Sequence, residues 1–323
     1  MKTLLVTLRP LTAFATPPHG DTLFGQLCWT LLNRHGEAWL TERLTGYLQG
    51  KPFLVVSDLV PSGHWPRPFL PPGFLSSETL TKEGNRKIEK KKIWFSWKAQ
   101  EGWKQKLSSW GGLCRLEEDV WKENRKERPQ PHNSINRLTG TTGTDGFAPY
   151  AVSQTWFPEE ALLDLWLVYD PERISRETLE VALQDVGQWG FGKDASAGLG
   201  KFSLEQCEAS PLPRQKDANA WMTLGFCAPQ GLGFDPDRSF YQPFTRFGRH
   251  GDRAAVTGQP FKNPILMTRA GAVLTPRGNM TLTDVFVGQG LGGEGRLSKA
   301  IPETVHQGYA PVVGIRLPLE KGR

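Results

Sequence analysis

Four glycines and two lysines fall within the twelve residues from Gly190 to Lys201. Glycine lets a backbone adopt positive φ angles and come close to a ligand, and lysine supplies charge suited to phosphate. The segment is therefore typical of a nucleotide-binding or nucleic-acid-binding loop, or of a plain solvent-exposed turn. It lacks both common nucleotide signatures. Ala195 stands where a Walker A loop needs its first glycine, and the run leads into a predicted strand from Phe202, where a dinucleotide fingerprint would open a helix.

The polar groups of this loop suit RNA. We expect four glycines to bring free backbone N–H groups close to phosphates or base edges: Gly190, Gly192, Gly198 and Gly200. Lys193 and Lys201 add positive charge. Asp194 fits a phosphate site poorly. It could accept a hydrogen bond from a base amine or a 2′-hydroxyl, or hold the loop together through Ser196, and we favour the structural role.

Positive charge is concentrated in one stretch of a chain whose net charge is +6. Residues 82–128 hold 14 lysines and arginines against 8 acidic residues, while the remainder is balanced. The same stretch contains five of the twelve tryptophans: Trp94, Trp97, Trp103, Trp110 and Trp121. Two interpretations stay open, separately or together. The stretch binds an RNA backbone and stacks its bases, or it is an amphipathic insertion whose tryptophans pack on the body while its lysines stay in solvent.

Apolar periodicity predicts the elements that must position these residues. The expected order is a strand over 4–9, a helix from an N-cap at Asp21 to a stop at Gly36, a strand over 53–56, a strand over 163–169, a helix over 175–188 and a strand from 202. Residues 61–72 are too rich in proline for regular structure. Without the excursion at about 60–157, this is the β-α-β-β-α-β order of ferredoxin-like folds and of the RNA-recognition fold.

The second half of the chain is rich in glycine and poor in predicted helices. Beyond a linker at 210–217, strands are expected over 221–226, 264–267, 273–274 and 310–317. We therefore predict an α+β protein with two ferredoxin-like, RRM-like lobes. The first covers residues 1–209 and includes the insertion at about 60–157, and the second, degenerate lobe covers 218–323.

Bulk properties agree with a two-domain cytoplasmic protein. The length of 323 residues and the 38% hydrophobic content allow a core in each lobe. The first nine residues fit a strand better than a signal peptide, and no apolar run approaches the ~20 residues that span a bilayer. The four cysteines are scattered, so we expect reduced thiols and no zinc site. No motif indicates a metal or a cofactor, and neither is expected.

Several segments resemble, in order, those of the RAMP proteins of CRISPR effector complexes. The likeness is strongest to the Cas-five-like subunits of type III-A Csm complexes, the fourth Csm subunit. It is carried by residues 20–29, 57–63, 131–150, 190–202, 262–267 and 306–312. These segments span almost the whole chain, which makes the series far more specific than any one motif. The tryptophan-rich part at about 80–125 resembles no segment of that family.

This resemblance implies a non-catalytic RNA-binding subunit. Such proteins hold the 5′ handle of the guide RNA (crRNA) at the base of the complex, against the large Cas-ten subunit and the first backbone RAMP subunit. Target RNA is contacted only indirectly. The resemblance also implies that residues 131–150 form a projecting β-hairpin, or thumb.

Side chains on that hairpin are candidates for RNA contact: His132, Asn133, Asn136 and Arg137. Arg137 can reach a phosphate or stack on a base, and it is the candidate we favour most. The asparagines can read base edges or simply shape a turn. Arg246 and Arg249 lie among phenylalanines in the second half. They could line the same RNA groove or belong to a solvated loop.

His19 is the one residue that could make the chain an enzyme. Some RAMP relatives cut repeat RNA without metal by using a histidine as general acid or base. No lysine or tyrosine partner lies near His19 in the sequence, so we expect it to contact RNA without cleaving it. The alternatives to handle binding are a metal-independent endoribonuclease that processes CRISPR repeats, and an RNA-binding protein outside CRISPR systems.

Overall fold

A computed structural model describes residues 1–75, 83–121, 125–143, 146–256, 258–277 and 284–318. The described chain belongs to the α+β class, as predicted, with several small antiparallel sheets. Parts of three predicted segments lie outside these ranges: residues 82 and 122–124 of the basic stretch, 144–145 of the hairpin, and 278–283 with 319–323 of the second lobe. No described helix is long and apolar enough to cross a membrane.

The strands of the first half of the described chain are, in order, β1 (Lys2–Pro10), β2 (Leu54–Val56), β3 (Val60–Pro61), β4 (His64–Pro66), β5 (Trp94–Ser96), β6 (Cys114–Arg115), β7 (Lys126–His132), β8 (Tyr150–Trp156), β9 (Leu163–Tyr169) and β10 (Phe202–Ala209). Those of the second half are β11 (Ala220–Thr223), β12 (Pro243–Arg246), β13 (Ile265–Thr268), β14 (Val273–Leu274), β15 (Phe286–Gly292) and β16 (Val305–Ile315).

The described α-helices are α1 (Gly20–His35), α2 (Glu37–Leu44), α3 (Pro72–Leu75), α4 (Glu83–Lys91), α5 (Glu117–Val120) and α6 (Arg176–Trp189). Short 3₁₀ segments occupy Tyr47–Gln49, Ala99–Lys104, Leu107–Leu113, Ala195–Ala197 and Asp252–Val256. The two long helices, α1 and α6, are the two that apolar periodicity predicts.

The first sheet has the strand order β10-β1-β9-β2, with every pair antiparallel and β3 also paired to β9. The four strands predicted for the first lobe are therefore confirmed, with small changes at their ends. The prediction that residues 61–72 lack regular structure is wrong in part, because this stretch contributes to β3 and forms β4. Pro61 and Pro66 stand at the last positions of these short strands, where a proline interrupts little of the ladder.

The start of α1 differs from the prediction. His19, with an extended backbone, occupies the N-cap, and Asp21 lies inside the first turn. The carboxylate of Asp58 accepts the N–H of Gly20 at 2.8 Å and so caps the helix from a distant segment. The prediction assigned this role to Asp21 because a sequence pattern sees only local capping candidates.

The two faces of the first sheet have different covers. On one face, Leu4, Val6 and Leu8 of β1 pack with Leu27 of α1 and Leu183 of α6. The helices thus form one layer and the sheet the other, and the alternating apolar residues of β1 supply the contact.

The opposite face is covered by the basic, tryptophan-rich insertion. Leu5 of β1 and Trp166 of β9 belong to a second hydrophobic cluster, which also includes Trp65, Phe95 and Trp110. The last three side chains are at most 1% exposed. Burying such a ring contributes about 4–6 kcal/mol, which exceeds the ~1–3 kcal/mol gained when an RNA base stacks on an aromatic side chain. Trp97, Trp110 and Trp121 are therefore core residues, while Trp94 and Trp103 are partly buried, so the packing interpretation is confirmed for three of the five tryptophans. Binding of RNA by the basic residues of the stretch stays a prediction.

The second half is built around a sheet with the order β14-β11-β16-β15 and a separate hairpin of β12 and β13. All four strands that the sequence predicts there are present, and β16 begins five residues earlier than expected. In the described residues after 218, the only helical segment is the 3₁₀ segment Asp252–Val256.

Buried hydrogen bonds tie the two halves together. The side chain of Gln307 in β16 both accepts from and donates to the backbone of Val56, at 2.8 Å in each case. The N–H of Asp58 donates to Leu224, and the hydroxyl of Tyr309 donates to the carbonyl of Tyr47. The halves consequently form one continuous body around the region where the candidate residues lie.

Candidate RNA interface

The glycine-rich loop joins α6 to β10 and depends on its glycines. Gly190, Gly192, Gly198 and Gly200 all have positive φ angles, of 99°, 79°, 90° and 72°. Residues with a β-carbon rarely adopt that conformation, so these positions favour glycine for backbone reasons alone.

Two of these glycines are packed so closely against their own chain that a side chain would not fit. A β-carbon on Gly190 would lie 2.3 Å from the carbonyl oxygen of Leu199, and one on Gly200 would lie 2.1 Å from that of Phe191. The same holds for Gly192, which faces Thr16 at 2.5 Å. These three glycines are therefore required by the packing of the loop itself, and their expected contact with RNA stays a prediction.

Gly198 is the exception within the loop. A β-carbon there would meet no atom within 4 Å. Of the four glycines, Gly198 alone owes its identity to the positive φ angle and not to close packing.

The N–H groups of the loop are mostly committed within the chain. Three glycine N–H groups donate to backbone carbonyls at 2.8–2.9 Å: Gly190 to Val186, Gly198 to Ala195 and Gly200 to Ala13. The N–H groups of Lys193 and Lys201 donate to the hydroxyls of Thr16 and Thr12. The expectation of free N–H donors at Gly190, Gly198 and Gly200 is thus wrong, because the loop satisfies its own buried polar groups.

Asp194 has a structural explanation. Its φ angle of 58° places it in the left-handed region, and its carbonyl accepts the N–H groups of Ala197 and Leu199. Aspartate tolerates that conformation better than most residues. The favoured structural role agrees with this geometry, although it acts through the backbone of Asp194 and not through Ser196.

Three side chains of the loop remain on its surface. Lys193 and Ser196 are exposed, and Lys201 is partly buried. No side-chain partner of these residues is present among the described ones. The loop therefore offers RNA two lysines and a hydroxyl on a rigid, self-satisfied backbone.

Strands β7 and β8 form the expected hairpin. They pair over their full length, from Lys126 opposite Trp156 to His132 opposite Tyr150, and form a two-stranded sheet of their own. The rings of His132 and Tyr150 stack with centroids 5.3 Å apart. Most of the residues of both strands are exposed, so the hairpin extends away from the body.

The hairpin tip separates the candidate side chains into two kinds. The side-chain oxygen of Asn136 accepts the N–H of Leu138 at 2.9 Å, which is turn chemistry. Asn133 and Arg137 are exposed and have no side-chain partner in the described part of the chain. Leu138 is 97% exposed beside them. Arg137 and Asn133 are thus exposed, whereas the side-chain oxygen of Asn136 already has a partner within the turn; contact of these residues with RNA stays a prediction.

His19 lies at the junction of the two halves. Its Nδ1 is 3.2 Å from an oxygen of Asp58, and its ring lies 4.1 Å, centroid to centroid, from that of Phe226. Asp58 therefore fixes the imidazole and caps α1 at once. The tertiary structure supplies an acidic partner for His19 that lies 39 residues away in sequence.

Arg246 is committed to a buried ion pair. Its guanidinium donates to both oxygens of Asp21, at 2.7 and 3.1 Å, and to the hydroxyl of Thr22. The Asp21 side chain is 1% exposed, and His306 lies 3.1 Å from it. Arg246 therefore neutralises a buried carboxylate between the two halves, and its expected contact with RNA stays a prediction.

The pKa values around Asp21 follow from this burial. Burial alone would raise the pKa of Asp21, but His306 and Arg246 outweigh it and hold that pKa well below its ordinary value. Burial lowers the pKa of His306, with partial opposition from Asp21. Burial likewise lowers the pKa of Lys262.

Arg249 has the opposite character to Arg246. It is exposed, it donates to the carbonyl of Ala255, and its guanidinium lies 5.7 Å from the ring of Phe261. Phe247 is exposed nearby in sequence. Arg249 keeps its charge on the surface and remains a candidate for RNA contact.

A groove of about 1080 Å³ opens in front of His19, and we call it the front groove. Its walls include Pro17–His19, Pro66–Leu70, Lys92–Trp94, Phe226, Tyr241 and Arg269. The insertion, the start of α1 and the second half thus each supply a side of it. Sequence reasoning missed this groove because its walls come from segments more than 200 residues apart.

The front groove is positively charged. Arg67, Lys90 and Arg269 line it, and none of them has a carboxylate partner in the described ranges. Arg67 donates to the carbonyls of Glu89 and Lys92, which leaves its charge uncompensated. The sequence gives only weak signals for these three cations, because Lys90 belongs to the basic stretch but Arg67 and Arg269 are isolated from other candidate residues.

One segment links the candidate regions. Within residues 12–19, Thr12 and Thr16 hold the glycine-rich loop, Phe14 pairs with Thr155 in β8 of the hairpin, and His19 lines the front groove. The loop, the base of the hairpin and the groove are therefore all reached from this one segment, while Arg249 lies on the second half. Among the described residues no cluster of acidic, histidine and cysteine side chains could hold a metal ion.

Comparison with known proteins finds likeness in structure alone. No protein-family model matches the chain, and no curated protein does. A chain of the crystal structure of a Csm1-Csm4 cassette in complex with pppApA matches with a TM-score of 0.61 and 16% identity, over 99% of this chain and 100% of that one. A chain of the cassette with cA4 matches with 0.62 and 15%, over the same shares.

A chain of the Csm3-Csm4 subcomplex of the type III-A CRISPR-Cas interference complex also matches. The TM-score is 0.54 and the identity 15%, over 95% of this chain and 99% of that one. At such identities the likeness shows that the fold is shared along almost the whole of both chains. It confirms, at the level of the fold, the resemblance to type III-A CRISPR subunits that the sequence shows.

Proposed function

We propose that this chain is a Cas-five-like RAMP subunit of a type III-A CRISPR interference complex, the fourth Csm subunit, acting in antiviral defence. It binds and caps the 5′ handle of the crRNA and contacts the large Cas-ten subunit and a backbone RAMP subunit. The observation that carries this proposal is the end-to-end likeness to chains of a Csm1-Csm4 cassette and a Csm3-Csm4 subcomplex.

The strand order supports a RAMP architecture. In the first sheet the order is β10-β1-β9-β2, which is last, first, third and second strand of a β-α-β-β-α-β unit, with α1 and α6 on one face. This is the ferredoxin-like plan. The second sheet, with the order β14-β11-β16-β15, has its strands as second, first, fourth and third along the chain and so does not follow this plan; the degenerate ferredoxin-like lobe expected there stays a prediction.

The charges support RNA as the ligand. Arg67, Lys90 and Arg269 along the front groove are cations without carboxylate partners in the described chain, as are Lys193 on the glycine-rich loop and Arg137 at the hairpin tip. Such a row of cations next to exposed aromatic rings suits a single strand of RNA. We expect the RNA strand to lie in this groove, because the insertion covers the sheet face that RNA-recognition folds use.

We assign the chain no catalytic role, and one observation keeps an endoribonuclease as the alternative. The imidazole of His19 is held by Asp58 at the front groove, and Lys90 and Tyr241 line the same groove. An oriented histidine near a second proton donor is what metal-independent RNA cleavage needs. Asp58 is also required to cap α1, so its pairing with His19 has a sufficient structural reason.

Incubation of the purified chain with CRISPR repeat RNA in EDTA separates these two functions. We expect no specific cleavage. Cleavage at one site that His19→Ala abolishes, while circular dichroism shows an intact fold, would replace handle binding by repeat processing.

Handle binding itself is tested by filter binding at two salt concentrations. The wild type should bind handle RNA more tightly than a scrambled RNA of the same composition. Lys90→Ala should weaken binding and reduce the salt slope by about 0.7, whereas Lys299→Ala, an exposed lysine away from the groove, should not. Equal affinity for handle and scrambled RNA would contradict the proposal.

The proposed partners are tested by co-expression with neighbouring genes. A tagged chain should co-purify with the large subunit and a backbone RAMP subunit encoded beside it. A gene with no RAMP genes nearby, and a chain that purifies alone, would favour an RNA-binding protein outside CRISPR systems.

A further inference from the structure

The hairpin of β12 and β13 continues beyond these strands as a longer two-stranded ribbon. Arg249 forms an antiparallel bridge with Phe261, and backbone hydrogen bonds flank the bridge on both sides. We call residues 243–250 and 260–268 the ribbon. Along its first strand, exposed residues alternate with less exposed ones. The ribbon therefore has an outer face towards solvent and an inner face towards the body of the protein.

The inner face of the ribbon carries charged and titratable side chains. Arg246 pairs there with the buried carboxylate of Asp21. His250 is buried, and its Nε2 lies 2.8 Å from the hydroxyl of Ser298. Lys262 is partly buried on the same side. These groups are costly to remove from water, and the fold has to provide partners for them.

The outer face carries large apolar side chains instead. Phe247 and Phe261 are 73% and 71% exposed. Arg249 lies opposite Phe261 and two residues after Phe247, so the three side chains share this face. Leu266 on the second strand and Val256 on the connecting segment are also exposed. The ribbon thus shows the reverse of the usual pattern, with aromatic rings in solvent and charged groups inside.

The size of this apolar surface indicates an interaction site. The rings of Phe247 and Phe261 leave roughly 300 Å² open to solvent, and Leu266 and Val256 add to it. Soluble proteins rarely expose larger apolar patches, and those they expose are often functional. None of these four residues lines the front groove, so the proposed handle site does not account for them.

We infer that the outer face of the ribbon docks a second protein, whose surface has an apolar centre edged by aspartate or glutamate. Arg249 and Arg253 are exposed cations without carboxylate partners in the described chain, and the docked protein supplies those carboxylates. Aromatic residues and arginine are the side chains enriched at the centres of protein interfaces. This inference rests on the proposed function, because a subunit of the interference complex is the docked protein. It adds where that subunit binds and by which chemistry.

The outer face fits a protein better than it fits RNA. The guanidinium of Arg249 already lies 5.7 Å from the ring centroid of Phe261 and donates to the carbonyl of Ala255. Leu266 and Val256 offer no ring on which a base could stack. The described part of the outer face also lacks a row of cations like that of the front groove, which a phosphate backbone requires.

The test is a pull-down of the tagged chain, co-expressed with the neighbouring subunits. The wild type should retain its partner subunits, whereas the double variant Phe247→Ser/Phe261→Ser should lose one of them. The affinity of the variant for that purified subunit should fall roughly 30-fold, as for a central interface residue. Arg249→Glu should weaken the same contact about tenfold, because it sets a carboxylate against those of the partner.

Two variants outside the ribbon are matched controls. Leu232→Ser changes another exposed leucine of the second half, and Arg316→Glu reverses another exposed arginine there. Both should retain every subunit. The melting temperature of the ribbon variants should equal that of the wild type, since the altered side chains lie in solvent. An equal loss of the subunit in the controls would overturn the inference.

Three further outcomes are decisive. If the double variant binds handle RNA more weakly but retains every subunit, the outer face binds RNA and the inference is wrong. If the wild-type chain sediments as a dimer and the double variant as a monomer, a second copy covers the face and the inference is equally wrong. If wild type and double variant retain the same subunits equally, only this inference fails. If the wild type retains no subunit, the proposed function fails with it.

Discussion

The glycine-rich loop and the hairpin tip carry the two most conspicuous RNA-like patterns in this chain, and the structure uses them differently. In the loop, three of four glycines press against the chain itself, and the N–H groups at Gly190, Gly198 and Gly200 have internal acceptors. At the tip, Arg137 extends into solvent without a partner among the described residues.

This difference teaches that a polar group is available to a ligand only where the fold has not already used it. Arg246 and Arg249 repeat the contrast within three residues of each other. Arg246 is committed to Asp21, and Arg249 is exposed. The loop glycines and Arg246 therefore stabilise the fold, while Arg137, Arg249 and the cations of the front groove keep their charges at the surface.

Arg246→Ala should produce the largest change in stability. It leaves the carboxylate of Asp21, 1% exposed, without its charge partner, which we expect to cost about 3–5 kcal/mol in the free energy of unfolding. Urea unfolding measures this loss of stability. Arg249→Ala is the control and should change the free energy of unfolding by less than about 0.5 kcal/mol. Similar losses of stability in the two variants would contradict the view that Arg246 stabilises the fold while Arg249 is only a surface residue.

Gly200→Ala should destabilise the protein by about 2–4 kcal/mol, because its φ of 72° disfavours a β-carbon and the carbonyl of Phe191 leaves no space for one. Gly198→Ala has a similar φ of 90° and open space around it, so it should cost only the backbone strain of about 1–2 kcal/mol. Unfolding curves that do not separate the two variants would argue against self-packing of the loop.

Acidification should weaken the junction between the two halves. The folded pKa of His306 lies below its ordinary value of 6.5, so its contribution is complete above that pH and is lost as the pH falls through the folded pKa. Asp21 has a folded pKa below 3.8, so its contribution is lost only under stronger acid. The free energy of unfolding should therefore decrease from pH 7 to pH 5.

The comparison variant for this pH effect is His306→Asn. Without the imidazole, the decrease in stability between pH 7 and pH 5 should be smaller, whatever the absolute stability of the variant. Parallel curves for wild type and variant would show that other groups cause the pH dependence.

Arg137→Ala should have the smallest effect, and it should act on binding alone. We expect about 1 kcal/mol less binding free energy for handle RNA, or roughly fivefold, and a salt slope reduced by about 0.7. The melting temperature should not move. Arg316→Ala, an exposed arginine of the second half paired with Asp217, is the control. A change in melting temperature without a change in affinity would show that Arg137, like Arg246, stabilises the fold and does not bind RNA.

Much of the first lobe could be predicted from the sequence. The alternation in β1 and the apolar stripe of α6 are local patterns, and local patterns predict local elements well. Ser175 is the N-cap of α6, and its hydroxyl accepts the N–H of Thr178 at 3.2 Å. Asp21 was assigned wrongly by the same logic, because the cap of α1 comes from Asp58, a residue that adjoins the helix only after folding.

The site could be predicted only in part. The hairpin, its exposed Arg137 and the surface lysines of the loop agree with the structure, but the front groove and its cations Arg67 and Arg269 were not foreseen. The basic, tryptophan-rich insertion allowed two interpretations. Its composition could not decide between them, since a tryptophan that packs in a core and one that stacks on a base look alike in sequence.

The sequence by itself determined the strands of the first sheet's main path, the two long helices, the glycines that the loop requires and the excess of positive charge, because these depend on residue type and on neighbours along the chain. The tertiary structure alone decided which polar groups remain free. It buried Trp110, gave Arg246 to Asp21 and Asp58 to His19, and assembled a groove from segments more than 200 residues apart. Availability is a property of partners in space, and hydrogen bonds and ion pairs over such separations exist only once the chain has folded.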